Sequence, residues 1–398
     1  MQASDLRCAN DHSLFQKLQN HRDVKRVNEA IERREQEGPT GIRRSLLATS
    51  VRLTERMAPS ITAMANECID KLGVSLPLEL YVYSSPQFNA ACFKPEDDRL
   101  YVMFSSGLLE GFTETELKFV MGHELGHHVY DHHGIPIGHI LQGNTRPDPE
   151  LALDLFAWSR YAEISADRAG AHCAQDMDAV ARALFKLSSG LTSKVVEFSL
   201  DDFVSQVDDM EIDDQEPGQG APKSDWFSTH PFSPLRVKAL KLFEDSVLYG
   251  GTQSKVDLEV GVQSLLSLME PNYLDAKTET AEAMRRMLFA GLIAVADASD
   301  GISEKELEVF SKFFGEHAFT DKLDLENIKS RLNNRIETVK AKATQTQAMQ
   351  VLHDICTIAQ AEGRITDAER EVLDNIALQL DIPISFICNA LVLDKQLD

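Results

Sequence analysis

The chain of 398 residues lacks any apolar run of the roughly 18 residues that a membrane-spanning helix needs. Its most apolar stretches, such as Leu288 to Ala298, are short and run into charged sequence. The first residues, MQASDLRCANDHS, lack the apolar core of a secretory signal peptide. We therefore expect a protein that is not inserted in a membrane and that works in the cytoplasm, of a bacterium in our interpretation.

Paired cysteines are also absent. The six cysteines stand at positions 8, 68, 92, 173, 356 and 388, and no two of them form a C-x-x-C pair. Scattered cysteines of this kind are typical of reduced thiols rather than of a disulfide framework or a thiolate zinc site. A metal ion in this chain would have to be held by imidazole and carboxylate groups.

Basic residues are few in comparison with acidic ones: 40 Lys and Arg stand against 63 Asp and Glu, for a net charge of −23. Residues 1–56 are an exception, with 11 basic and 8 acidic side chains. An acidic body argues against binding to nucleic acid or to anionic membranes. The content of 43% hydrophobic and 26% charged residues is that of a globular protein, and the length allows two or three domains.

Hydrophobic periodicity and turn residues predict a mainly helical chain with a few strands. The expected elements are helices at 11–36 and 42–72, strands at 76–85 and 100–109 with a turn at 89–98 between them, a helix from Thr113 capped by T-E-T-E, a helix at 149–187, a mobile acidic loop at 201–216, and a helix from an N-cap at Ser233 to Gly250.

The last 120 or so residues contain a weak internal repeat. ADASDGISEKELEVF, which begins at Ala296, matches AQAEGRITDAEREVL, which begins at Ala359, at an offset of 63 residues. Each copy carries a capping box, S-x-x-E or T-x-x-E, so each predicts the start of a helix. We expect this part of the chain to be helical throughout.

Five histidines lie in the fourteen residues VMGHELGHHVYDHH, from Val120 to His133. His123 and His127 are spaced i, i+4, which places both imidazoles on one face of a helix. Glu124 is rotated by about 100° and can meet a metal-activated water without being a ligand. The resulting H-E-x-x-H signature indicates two zinc ligands and a general base.

A third ligand is expected in RYAEISADRAG, where Glu163 and Asp167 again have i, i+4 spacing. Glu163 would complete a His₂Glu site for one zinc ion per chain, and the fourth position stays open for water. Asp167 would accept the N–H of a ligand imidazole and fix its tautomer. The alternative is an ordinary acidic helix face.

The other three histidines of the cluster are harder to place. His128 and His132 lie about 100° from the ligand face and could chelate a metal geometrically, but no glutamate base accompanies them. His133 has no useful acidic partner. We expect all three to be solvated residues at the helix end.

Four motifs in order, FNAACFKPEDDRLYVMFSSGLL, ELKFVMGHELGHH, RYAEISADRAG and STHPFSPLRVKAL, resemble the HtpX-like zinc endopeptidases. These are gluzincins, and the family includes the CAAX prenyl proteases. The resemblance implies an α+β, mainly helical, zincin-like catalytic domain, in which a small sheet packs on the H-E-x-x-H helix. It also implies a peptidase with His123, His127 and Glu163 as zinc ligands and Glu124 as base.

The same resemblance assigns roles to further residues. An edge strand formed by Asn89, Ala90, Ala91 and Cys92 would bind an extended substrate through main-chain hydrogen bonds. His230 would donate a hydrogen bond to the transition state, and Arg236 would support the metal centre from outside. Several members of the family insert two membrane helices before the third ligand. Residues 128–162 are too few for two spans, so membrane or prenylated substrates are not expected.

The C-terminal part resembles the all-helical TerB-like domains first named for tellurite resistance, on the strength of the two repeat segments. We therefore predict four parts: N-terminal helices packed on or covering the catalytic domain at 1–72, a metallopeptidase domain at 73–250, a connector at 251–274, and a separate all-α domain at 275–398.

The function expected from these features is zinc-dependent hydrolysis of protein or peptide substrates. One alternative is a zinc-bearing adaptor that binds a protein partner through its C-terminal domain and has minor or gated activity. Another is a peptidase of small peptides only. The basic helices before residue 57 and the acidic segment 201–216 are expected to cover the cleft as a charged lid, unless they are an ordinary packing helix and a solvated loop.

Overall fold

The chain divides into two compact units. The computed structural model describes residues 2–38, 41–141, 149–192, 196–213, 228–269, 273, 279–298, 329–343, 345–360 and 365–392. One unit comprises residues 1–208 and 227–262, and the other comprises 209–226 and 263–398. In the ranges just given, no helix has the length and apolar character needed to cross a membrane. The predicted domain boundaries at 72, 250 and 274 stay predictions.

Up to residue 245, helices alternate with four strands of one sheet. In chain order these elements are α1 (Ala3–Leu6), α2 (Ala9–Asn20), α3 (Arg22–Glu37), α4 (Ile42–Thr49), β1 (Val51–Leu53), α5 (Pro59–Leu72), β2 (Leu78–Tyr83), β3 (Ala90–Glu96), β4 (Arg99–Ser105), α6 (Ser106–Gly111), α7 (Glu114–Val129), a 3₁₀ turn (His132–Gly134), α8 (Ile137–Leu141), α9 (Pro149–Ala174), α10 (Met177–Ser189), α11 (Leu200–Asp213) and α12 (Ser233–Asp245).

Three helix predictions need correction. The predicted helix at 11–36 is interrupted between α2 and α3, where His21 ends one helix and caps the next through Nδ1. The predicted helix at 42–72 is interrupted by strand β1 and the turn that follows it. The predicted helix at 149–187 breaks at Gln175, whose φ of 55° lies outside helical geometry, and Asp176 caps the next helix.

Two further predictions were wrong in detail. Residues 201–213 of the predicted acidic loop form helix α11, in which Phe203 and Val207 are buried, so its apolar spacing outweighs its charge. The remainder of that loop, and PGQGAP after it, fall outside the described residues. Helix α12 begins at Ser233 with Phe232 as its N-cap, one residue earlier than predicted, and it ends at Asp245.

The sheet has the strand order β1-β2-β4-β3 and is mixed. β2 runs parallel to β4, whereas β1 and β3 pair antiparallel with their neighbours. β3 lies at the edge and covers most of the segment that sequence pattern had marked as a turn. The true turn is confined to Asp97 and Asp98, which have φ values of 52° and 54°. Pro95 is compatible with a strand here because an edge strand has backbone groups outside the ladder.

Helices α7 and α9 pack against each other through small residues. A Cβ atom at Gly122 would lie 2.7 Å from Sγ of Cys173 and 2.9 Å from Cα of Gly170. A Cβ atom at Gly170 would lie 2.5 Å from the carbonyl oxygen of Phe119. Only glycine therefore permits this separation of the two backbones. The close approach brings the H-E-x-x-H helix to the helix that carries Glu163.

The remaining helices along the chain are α13 (Lys255–Ser267), α14 (Glu279–Asp297), α15 (Leu332–Lys342), α16 (Gln345–Ala359), α17 (Asp367–Gln379) and α18 (Ile384–Val392). In the second unit, buried apolar side chains include Leu288, Ile355 and Ile376. The capping box predicted at Thr366 is confirmed, because its hydroxyl accepts from the amide of Glu369 while Glu369 accepts from the amide of Thr366. The first copy of the repeat lies largely outside the described residues.

Candidate metal centre and active site

Three predicted ligands converge between α7 and α9. The capping box at Thr113 starts α7 as predicted, and His123 and His127 follow on one face with their Nε2 atoms 3.2 Å apart. Glu163 faces them from α9, with Oε2 at 3.5 Å from Nε2 of His123 and Oε1 at 3.5 Å from Nε2 of His127. One potential ligand atom from each residue lies within 4.8 Å of the other two.

Asp167 lies behind His123, where it was predicted to be. Its Oδ1 is 3.0 Å from Nδ1 of His123, and both of its oxygens accept from the guanidinium of Arg236, at 2.6 and 2.8 Å. Burial acts to raise the pKa of Asp167, but the charge and hydrogen bonds of Arg236 outweigh it and lower the pKa to about 2. An ionised Asp167 holds a proton on Nδ1 of His123 and leaves Nε2 free for a metal.

His127 is held at Nδ1 by another histidine. Nδ1 of His132 lies 2.8 Å from Nδ1 of His127, and Nε2 of His132 lies 3.2 Å from Oδ2 of Asp11 on α2. The prediction that His132 is a solvated helix-end residue was wrong, because it is 7% exposed and packs edge-on to Trp158. α7 ends at Val129, and the 3₁₀ turn after it directs His132 back under the ligand face.

The other two histidines of the cluster are also less exposed than predicted. His128 and His133 are half-buried. Burial lowers the pKa of His133 to about 4, with a further contribution from the neighbouring His132 and His128. Neither residue belongs to the cluster of potential ligand atoms found among the described residues.

The donor set fits a divalent metal such as zinc. Two imidazoles and one carboxylate match a catalytic zinc site with an open position. Oε2 of Glu163 is buried and, among the described residues, has no hydrogen-bond partner, although Arg236 lies at ion-pair distance, 3.4 Å. A buried carboxylate oxygen without a hydrogen bond is costly unless a cation satisfies it. Burial, reinforced by the charges of neighbouring histidines, keeps the pKa of His127 well below its usual value, so its ring is neutral.

Glu124 lies between the metal centre and the edge strand. One of its carboxylate oxygens accepts the backbone N–H of Cys92 at 2.7 Å. Burial raises the pKa of Glu124 above its ordinary value, and the charge of Glu163 adds to the increase. A carboxylate with a raised pKa at this position is suited to accept and return a proton.

The predicted substrate edge consists of residues at the start of β3. Asn89 precedes the strand: its carbonyl accepts from the backbone N–H of Ser105, and its own N–H donates to the hydroxyl of Ser105. Ala90, Ala91 and Cys92 pair with β4. The other edge of β3 faces the metal centre, as the contact between Cys92 and Glu124 shows.

His230 and Arg236 reach the centre from the segment that contains α12. Arg236 is buried against Asp167 and Glu163. The side chain of His230 is 65% exposed, and its Nε2 lies 3.6 Å from Oε1 of Glu163. The two residues therefore occupy different positions: Arg236 lies behind the ligands, and His230 lies on their open side.

A cavity of about 1240 Å³ adjoins the ligands. Besides His127, Glu163 and His230, its wall includes Lys94 of β3 and Glu35 of α3, and these last two side chains form an ion pair at 2.8 Å. Helix α3 thus forms one side of the cleft. Residues 200–208 of the acidic segment are not among the described residues that line it.

A histidine pair and a glutamate on adjoining helices, with a second glutamate against an edge strand, define the site of a metallopeptidase. The comparisons agree: the profile of peptidase family M48 matches residues 55–144 and 150–244, just under half of the chain. They support a member of family M48, and so a gluzincin metallopeptidase, for this part of the protein. No solved structure matches the chain.

Curated proteins that are similar to the chain are also named as proteases or metallopeptidases. The chain is 26% identical over 230 residues to the plastoglobule-localized metallopeptidase 48 of Arabidopsis thaliana, which covers 55% of this chain and 67% of that protein. It is 26% identical over 219 residues to a protease HtpX homolog of Ralstonia nicotianae, covering 47% and 75%. It is 40% identical over 58 residues to protease HtpX of Shewanella loihica, and there it spans only a fifth of the relative.

Two residues of the site were missed by sequence reasoning. His132 was seen but misjudged, because helical periodicity no longer applies beyond the end of α7. Asp11 was not considered, because it lies 121 residues from His132 in the chain and no local pattern marks it. The available signal was its spacing: Asp11 shares one helix face with Leu14, Phe15 and Leu18, and an acidic residue on an apolar face needs a partner.

Proposed function

We propose that the chain is a zinc-dependent metalloendopeptidase that cleaves peptide bonds in protein substrates. The observation that carries the proposal is the pair of Glu163 oxygens at the imidazoles: Oε2, which is buried and has no hydrogen-bond partner among the described residues, faces Nε2 of His123, and Oε1 faces Nε2 of His127, with Glu124 beside them. One zinc ion per chain would be held by the first three residues. When bound, zinc acidifies a water molecule and polarises the scissile carbonyl.

Glu124 would move the proton. As the water oxygen forms its bond to the carbonyl carbon, the carboxylate of Glu124 takes the water proton, and it delivers that proton to the amine nitrogen as the C–N bond breaks. The N–H of Cys92 orients the carboxylate and favours its ionised form, while burial raises its pKa and so eases return of the proton. The two opposing influences suit a group that must act as a base and then as an acid.

Outside the ligands, His230 would donate a hydrogen bond to the developing oxyanion, because its side chain is largely exposed on the open side of Glu163, with Nε2 3.6 Å from Oε1. Asp167 and Arg236 would keep Nε2 of His123 directed at the metal. These roles follow the family resemblance, and the distances are compatible with them.

The substrate in this proposal is an extended polypeptide that pairs with the free edge of β3 at Asn89 to Cys92. The adjoining cavity would receive its side chains. The relatives are named as a protease and a metallopeptidase, and the first of these names favours proteins over small peptides as substrates. A cytoplasmic setting, a TerB-like C-terminal domain and a partner for that domain stay predictions.

Substitution of Glu124 by Gln tests the proposal. Gln keeps the shape but cannot accept the proton, so hydrolysis of a peptide library should fall by about 10²–10⁴-fold while zinc content stays near one ion per chain by elemental analysis. Glu114→Gln, at the exposed start of the same helix, is the matched control and should retain full activity. Undiminished hydrolysis by Glu124→Gln would exclude Glu124 as the base.

The same variant separates the alternative function. If the wild-type protein binds zinc but cleaves nothing in the library, and Glu124→Gln preserves its cellular function, the zinc-bearing adaptor becomes the better description.

A further inference from the structure

Asp11 is buried at the centre of a group of hydrogen-bond donors. Its Oδ1 accepts from Nε1 of Trp158 at 3.1 Å, and its Oδ2 accepts from the hydroxyl of Ser165 at 2.7 Å. The guanidinium of Arg7 donates to both oxygens, at 2.8 and 3.0 Å. His132 is the fifth contact, with Nε2 at 3.2 Å. Burial acts to raise the pKa of Asp11, but the hydrogen bonds of His132 and Arg7 outweigh it and lower the pKa well below its ordinary value.

An ionised carboxylate can only accept hydrogen bonds, and this fixes the proton on His132. Because Nε2 of His132 faces Asp11, that nitrogen must carry the hydrogen, and in the neutral ring Nδ1 is then an acceptor. Nδ1 of His132 faces Nδ1 of His127 at 2.8 Å, so His127 must be the donor there. A neutral His127 with its hydrogen on Nδ1 presents an unprotonated Nε2 to His123 and Glu163.

We infer that Asp11 and His132 are positioning residues for the metal centre, which fix the tautomer and ring orientation of His127 through the chain Asp11–His132–His127. The inference rests on the proposed function, because it presumes that His127 binds zinc through Nε2. Asp167 and Arg236 do the same for His123 from the opposite side. Asp11 lies on α2, outside the residues that match the peptidase family, so the N-terminal segment completes the metal site.

A purely structural role is the competing explanation. Asp11 joins α2 to α9 through Trp158 and Ser165, so its loss could loosen the N-terminal segment without any effect on His127. The two roles predict different effects on zinc affinity when the substitutions of Asp11 and His132 are combined. If Asp11 acts through His132, its replacement has little further effect on zinc affinity once His132 is gone, whereas independent roles add.

The experiment uses full-length Asp11→Asn, His132→Phe, the double variant and a control, Tyr130→Phe. Phe at position 132 keeps an aromatic ring beside Trp158 but removes both ring nitrogens. Tyr130→Phe removes another anchor of the N-terminal segment, the hydrogen bond to the carbonyl of Ala3 at 3.0 Å, and keeps the aromatic ring that packs against His132 with centroids 5.7 Å apart. The zinc dissociation constant is measured by chelator competition, and thermal unfolding of each metal-free protein is recorded in parallel.

We expect each single variant to weaken zinc binding by about 10–100-fold, the usual effect of losing an outer hydrogen-bond partner of a ligand histidine. The double variant should be no weaker than the more affected single variant, and Tyr130→Phe should bind zinc as the wild type does. Single-variant affinities within twofold of wild type, or a double variant that shows the product of both losses, would overturn the inference. If Asp11→Asn does not fold, the zinc affinity of His132→Phe alone still tests the inference. Failure of the wild type to bind zinc would instead refute the proposed function.

Discussion

Glu124 and Glu163 are the same residue type on facing helices, yet their surroundings assign them different roles. One oxygen of Glu124 is tied to the backbone N–H of Cys92, next to the strand where a substrate would lie. Oε2 of Glu163 lies 3.5 Å from Nε2 of the predicted ligand His123 and has no hydrogen bond from the described residues. A carboxylate oriented by a hydrogen bond beside the substrate suits proton transfer, whereas an unsatisfied buried oxygen suits a metal.

Removal of the third ligand should abolish tight zinc binding. We expect Glu163→Ala to weaken zinc affinity by more than the roughly 10–100-fold typical of outer-shell partners, because it deletes a direct ligand and leaves two. His127→Ala should behave in the same way. His128→Ala is the control, since His128 is adjacent in sequence but outside the ligand cluster. Chelator competition measures all three, and unchanged affinity in Glu163→Ala would remove it from the site.

At the scale of elements, the separation of α7 and α9 sets the geometry of the ligands. His123 and His127 belong to one helix and Glu163 to the other, so the distance between the two backbones decides whether three ligand atoms can share one ion. Gly122 and Gly170 allow that distance. The small residues of GHELGHH and RAGAHCA therefore contribute to the metal site without touching it.

We predict that Gly122→Ala destabilises the protein by about 1–3 kcal/mol, the usual cost of forcing a methyl group into a packed interface. The new Cβ atom would lie 2.9 Å from Cα of Gly170, so the helices must separate and zinc affinity should fall as well. Gly138→Ala on α8 is the matched control, because a Cβ atom there meets nothing within 4 Å. Urea unfolding and zinc titration measure both effects. Equal stability of the two variants would contradict this account of the packing.

Considered as a whole, the first unit places two of its N-terminal helices, α2 and α3, at the cleft; both carry equal numbers of basic and acidic side chains. Asp11 of α2 contacts His132, which in turn contacts the predicted ligand His127, whereas α3 forms a wall of the cavity and is joined to β3 by the ion pair of Glu35 with Lys94. Of the two segments predicted to form a charged lid, α3 is therefore the one that borders the cavity among the described residues. For the acidic segment, the described residues 201–213 are helical rather than a loop.

If α3 limits the access of substrate to the cleft, weakening the ion pair between Glu35 of α3 and Lys94 of β3 should raise the cleavage rate. Exposed ion pairs contribute about 0–1 kcal/mol, so Glu35→Gln should increase the cleavage rate of an unstructured protein by at most about fivefold. The increase should disappear at high salt, which screens the pair in the wild type. Glu29→Gln is the control, since its ion pair with Arg33 stays within α3. A rate and salt dependence equal to wild type would leave α3 as a packing helix only.

Local geometry made part of the site predictable. The spacing of His123, His127 and Glu124 fixes their positions once the segment is helical, because a helix turns by a constant angle per residue. The capping box at Thr113 is equally local and marks where that helix begins. The pairing of Glu163 with Asp167 by i, i+4 spacing follows from the same geometry, and the structure brings both residues to the predicted imidazoles.

By itself, then, the sequence determined the helix that carries His123, Glu124 and His127 and predicted their roles and a third ligand, all from spacing within a few residues. Residue pattern marked the segment 89–98 as a turn, and only the family resemblance implied an edge strand. Tertiary structure decided that Ala90–Glu96 is a strand, since pairing satisfies its backbone against β4 despite the proline and acid. It also decided that His132 is buried and joined to Asp11. Contacts between residues 121 positions apart depend on how helices pack, and no short-range periodicity encodes that packing.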